Sequence, residues 1–110
     1  MANPRPPAEI IVFTPITPEE LLQITRLMLK QVEARLEEKG LRFEITDAAV
    51  QELADAGYDP AFGARPLRRV LQDRVDNALA DIILRGEAER RDTIVYDVGG
   101  AVHVRKADAL

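Results

Sequence analysis

The chain is 110 residues long, 46% apolar and 31% charged, with a formal net charge of −4 and no cysteine. That size and balance suit one globular domain with a modest core, and exclude a disordered chain, a disulfide scaffold and a Cys-ligated zinc site. The acidic excess argues against a general nucleic-acid or anionic-membrane surface. No apolar run approaches the roughly 20 residues of a membrane-spanning helix, so the expected compartment is the cytoplasm, and with a single histidine, His103, no metal site is expected.

Residues 1–9, "MANPRPPAE", hold three of the seven prolines and no apolar periodicity, and read as an extended lead-in. Ile10 to Phe13 is short, apolar and β-prone. In "TPITPEE" Thr17 is a good N-cap, Pro18 suits the first helical position and Glu20 completes a Thr-x-x-Glu capping box. The helix that follows, over about 18–39, carries an apolar stripe at Leu21, Ile24, Met28, Val32 and Leu36. "LRFEIT" alternates, with Leu41, Phe43 and Ile45 on one face of a half-buried strand. Thr46 or Asp47 caps a shorter helix with Val50, Leu53 and Ala54, which stops at Gly57.

A third helix is predicted to begin at Pro66, to bury Leu67, Val70, Leu71, Val75, Leu79, Ile82 and Ile83, and to close at Gly86. "TIVYDV" and "AVHVR" on either side of Gly99-Gly100 predict a hairpin of alternating strands, with His103 facing solvent, and residues 106–110 read as a frayed tail. The element order predicts an α+β fold in which about three helices pack on a small, roughly three-stranded sheet.

Between the second and third helices stands "GYDPAFGARPLRR". A helix mouth offers unpaired N–H groups and partial positive charge. Arg65 beside it adds a planar fork that matches phosphate oxygens, held extended by the proline that follows. Gly63 and Ala64 leave room for a flat group. The plainer alternative pairs Arg65 with Asp59 or another carboxylate and merely staples the loop. Tyr58 and Phe62 flank the turn as packing anchors, and Arg68 and Arg69, one turn into the helix, suit salt bridges or a neighbouring subunit.

"GYDPAFGARPLRR" closely resembles the sensor-2 motif of Clp-type AAA+ ATPases, the ClpB disaggregase and the ClpA and ClpC unfoldases. The likeness extends through "EIIVFTPIT" and from "LEEKGLRF" to "ADIILRGE", over roughly residues 9–105, with the subdomain itself at 10–105. It implies the C-terminal small, or lid, subdomain of such an ATPase. In that family the arginine of Gly-Ala-Arg, here Arg65, contacts the γ-phosphate of ATP held by a preceding large subdomain. Ala64 and Ile24, with Ile16, would lie near the adenine and ribose.

The implied cofactor is therefore ATP or ADP, with Mg²⁺ supplied by the large subdomain. The implied partners are that subdomain in cis, a neighbouring subunit in a ring, and the parent's protein substrates. The family also has an intersubunit arginine ahead of this region; here the stretch is "PRPPAE" with Arg5 one position out of register, so that role is not carried over. The chain has no Gly-x-x-x-x-Gly-Lys-Ser/Thr loop, so ATP hydrolysis by it alone is not expected. The alternative function is an oligomerisation or protein-docking module that binds no nucleotide, and the apolar flank near residues 10–16 is able to drive self-association.

Overall fold

A computed structural model of the chain describes residues 16–107; the lead-in at 1–9, the Ile10–Phe13 segment and residues 108–110 lie outside the described residues. Helix α1 (Pro18–Glu38) opens on the capping box: Thr17 Oγ1 accepts from the Glu20 N–H and the Glu20 carboxylate accepts from the Thr17 N–H, at 3.1 and 3.0 Å. At its other end the Leu41 N–H returns to the Leu36 carbonyl and the Gly40 N–H to that of Glu37, both at 2.9 Å, the hydrogen-bond pair that closes many helices at a glycine. Strand β1 (Arg42–Ile45) leads to α2 (Asp47–Ala56), which is capped by Thr46 through a bond from the Ala49 N–H.

The third helix, over residues 67–84, is continuous but not uniform. It consists of α3 (Leu67–Leu71), a π-helical stretch (Gln72–Asp76) and α4 (Asn77–Leu84), with right-handed helical dihedrals at each junction. Pro66 serves as its cap residue rather than its first helical one. Strands β2 (Thr93–Asp97) and β3 (Ala101–Arg105) form the hairpin around a three-residue turn, Val98–Gly100. The sheet order is β1-β2-β3, with β1 parallel to β2 and β2 antiparallel to β3. The result is the expected α+β fold, three helical rods against a three-stranded mixed sheet.

Three details of the core differ from the sequence reading, the first being that Val70 and Ile83 of the third helix are only partly buried. In α1 the buried positions are Leu21, Thr25, Leu29, Val32 and Leu36, while Ile24 and Met28 are only partly buried. Thr25 can face the core because its hydroxyl donates to the Leu21 carbonyl at 2.8 Å, leaving no unpaired polar group. In β2, Thr93 to Tyr96 are all buried rather than alternating. As the central strand, β2 meets the helices on one face, and the Glu44–Arg105 ion pair (2.6 Å), which joins β1 to β3, spans the other. Glu44 and Arg105 are register partners of Val95 and Thr93 respectively. His103, on the edge strand, faces solvent as expected.

α1 and the third helix lie side by side and run in the same direction. Met28 shares a groove with Arg68 and Leu71, Arg35 pairs with Asp76 at 3.0 Å, and Lys39 shares a groove with Leu79 and Ile83. The start of α1 and the start of the third helix therefore fall at the same end of the molecule, where the Gly-Ala-Arg-Pro turn sits.

Candidate functional site: an arginine-bearing helix mouth

The turn is shaped by its own backbone. Asp59 and Gly63 exchange two N–H···O bonds, at 2.8 and 2.6 Å, and the Asp59 carboxylate accepts from the N–H groups of Ala61 and Phe62. Gly63 has φ +65°, a conformation that costs a residue with a Cβ. The Arg65 N–H bonds back to the Phe62 carbonyl and the Leu67 N–H to that of Ala64, so Arg65 lies inside a tight turn rather than in the extended lead-in that the following proline suggests.

Asp59 Oδ1 is bound by the loop's own N–H groups, and no Asp59–Arg65 ion pair forms among the described residues. The Arg65 guanidinium instead lies over the Phe62 ring, 5.0 Å from its centroid, a cation–π contact worth roughly 0.5–1 kcal/mol at an exposed site. Phe62 is 57% exposed, so it is the platform for Arg65 and not an anchor in the core. The sequence signal for it is local: an aromatic three residues before an arginine across a turn. Tyr58, at 38% exposure, lines a cavity with Ile16, Thr17, Pro18, Leu21, Gln51 and Asp55. Among the described residues Arg26, Arg35, Arg85 and Arg105 form ion pairs, while Arg65, Arg68 and Arg69, like Arg42, Arg74, Arg90 and Arg91, form none.

Of the other expected site residues, Ala64 is part of the turn and Ile16 lies against it. A Cβ built on Gly63 would lie 3.5 Å from Ile16 Cδ1, so Ile16 borders the turn. The Arg35–Asp76 pair sets an offset of 41 residues between the two parallel helices. Ile24 lies one turn before Met28, which shares a groove with Arg68 and Leu71 at the start of the third helix. Ile16, Ile24 and Ala64 are all partly buried against the core. Ile16 and Ala64 thus lie at the turn that carries the exposed Arg65.

A small α+β subdomain with this basic turn ahead of its last helix is of the kind found at the C-terminal end of Clp ATPases. Residues 16–96 match the family described as the C-terminal, D2-small domain, of ClpB protein, and the chain belongs to that family. It is 49% identical over 89 residues to the chaperone protein ClpB of Aquifex aeolicus, covering 81% of this chain and 9% of that one. It is 44% identical over 92 residues to ClpB of Rhodopirellula baltica, covering 84% and 10%. It is 45% identical over 89 residues to the chloroplastic ClpB3 of Arabidopsis thaliana, covering 81% and 9%.

The chain thus spans about a tenth of the length of the curated relatives it matches. A relative named as chloroplastic shows that the family does not fix a cytoplasmic location. Among the described residues no helix is long and apolar enough to cross a membrane.

Proposed function

We propose that this chain is the nucleotide-sensing lid of a ClpB-type AAA+ chaperone, with Arg65 reaching the γ-phosphate of ATP bound by a large subdomain in cis. Ala64, Ile24 and Ile16 form the wall on which adenine and ribose rest. The large subdomain holds the remaining phosphate contacts and Mg²⁺, so this chain alone binds ATP or ADP weakly and does not hydrolyse it. In the ring, the same lid touches the neighbouring subunit, and the charge of the γ-phosphate biases its orientation.

One observation carries this reading. Arg65 is exposed and braced on Phe62, and among the described residues it pairs with no carboxylate, Asp59 included. An arginine kept for a structural staple would be paired; this one is oriented and left open to an incoming anion. In an intact ClpB-type ATPase carrying this lid, Arg65→Ala should weaken ATP-driven disaggregation and ATP turnover by about tenfold or more, the scale of one lost charge-assisted bond. Turnover and nucleotide affinity equal to the parent would refute the role.

The docking reading draws support from Leu27 and Leu84, which are 64% and 86% exposed. Amide shifts on adding ATP separate the two. Changes at Ala64 to Leu67 and near Ile24 favour the lid, and unchanged spectra favour docking alone.

A further inference from the structure

A second cavity, of about 310 Å³, is lined by Glu52 of α2, Arg74 of the π stretch, Tyr96 of β2, and Gly99 and Gly100 of the hairpin turn. It shares no residue with the arginine-bearing turn. Tyr96 is 1% exposed, and among the described residues its hydroxyl makes no hydrogen bond. The turn glycines leave the space in front of it open: a Cβ at Gly100 would come 3.9 Å from the hydroxyl oxygen, and one at Gly99 would meet nothing within 4 Å. A buried hydroxyl with no partner is costly, and this one borders a cavity with room for a partner.

The charges around it are of both signs and are not joined. Glu52 accepts the Gly99 N–H at 2.8 Å through one oxygen, which leaves the other free. No Glu52–Arg74 ion pair forms among the described residues. Both groups act on the Tyr96 hydroxyl, in opposite senses: burial raises its pKa most, Arg74 lowers it and Glu52 raises it. Arg74 sits within the π-helical stretch, an irregularity often found at functional sites.

We propose that this cavity binds a small zwitterion of the α-amino-acid type, its carboxylate on Arg74 and the Tyr96 hydroxyl and its ammonium on Glu52. A simple anion such as phosphate would face the Glu52 carboxylate, and a simple cation would face Arg74. Only a ligand carrying both signs side by side satisfies all three groups, and charge-assisted bonds reward it over a neutral amide. The volume beyond the head group is large enough for a side chain.

The test is an amide and arginine Nε titration of the full chain with glycine, with acetate, methylammonium and acetamide as parallel probes at constant ionic strength. Glycine should give saturable shifts at Gly99, Gly100 and the Arg74 side chain, and the other three should not. Tyr96→Phe, which keeps the ring, and Arg74→Gln, at an exposed position, should each weaken glycine binding about fivefold or more, the weight of one lost hydrogen bond. Their melting temperatures should stay within a few degrees of the parent. No saturable shift with glycine, equal saturation with any of the three probes, or unchanged affinity in Arg74→Gln would overturn the assignment.

Discussion

A methyl group on residue 57 would sit 2.5 Å from Leu67 Cδ1 and 2.7 Å from Leu67 Cα. The side chain could turn aside, but the backbone could not, so Gly57→Ala must wedge the end of α2 away from the third helix. A loss of about 1–3 kcal/mol is expected, read as a lower urea midpoint with an unchanged slope. Gly63 is needed for a different reason, its φ of +65°, since a Cβ there would make only ordinary contact with Ile16. In the sequence the two glycines look alike, as punctuation before a helix; only the packed structure separates crowding from backbone conformation. Arg65 was legible as a charge at a helix mouth. Its seat on Phe62 was not, because an aromatic beside a turn more often packs inward than carries a guanidinium.

At the scale of elements, helix starts were the most legible feature because capping is local chemistry. The reciprocal Thr17–Glu20 bonds were readable from four residues. Thr17→Ala should cost about 1 kcal/mol, measured by thermal melting, and Thr17→Asn should restore most of the loss. The inner face of α1 runs through Thr25 and Leu29 rather than Ile24 and Met28, because the Thr25 hydroxyl bonds within its own helix and so loses the polarity its side chain shows in sequence. The π stretch left a trace that only hindsight decodes. Leu67, Leu71, Val75 and Leu79 are buried at intervals of four, whereas an α-helix turns every 3.6 residues. Three such steps would drift the stripe by about a third of a turn; the wider π turn holds it against the core.

For the whole molecule, sheet order was out of reach of local patterns. Nothing within Arg42–Ile45 announces that its neighbour is Thr93–Asp97, or that the pairing is parallel. The same non-local closure explains the buried acid at the sheet's base. Asp92 accepts from the N–H groups of Glu89 and Ala107 and from Lys106, and these donors, Glu89's first, hold its pKa below the ordinary 3.8. Asp97 is lowered likewise, chiefly by the Val98 N–H and then the Thr46 hydroxyl.

A carboxylate whose pKa is lower in the folded chain adds stability that is complete above its unfolded value and is lost as pH falls through the folded one. Unfolding midpoints should therefore decline as pH drops from about 5 toward 2. Asp92→Asn should flatten that decline while lowering stability at neutral pH. Burial raises the Tyr96 pKa above its ordinary 10.0, so its contribution holds below that value and fades as pH rises through the higher folded one. Tyr96→Phe should remove this alkaline loss.

The parallel pairing of β1 with β2 also governs when the chain can fold during synthesis. The partner of Arg42 is Thr93 and that of Ile45 is Tyr96, so among the described residues β1 has no neighbour until the ribosome has added some fifty more residues. At typical elongation rates that wait lasts on the order of several seconds. Meanwhile Val50, Leu53 and Leu67, which end fully buried, remain without their sheet. Nascent chains stalled before residue 93 should therefore be open to protease, and those carrying the complete hairpin beyond the exit tunnel should resist it.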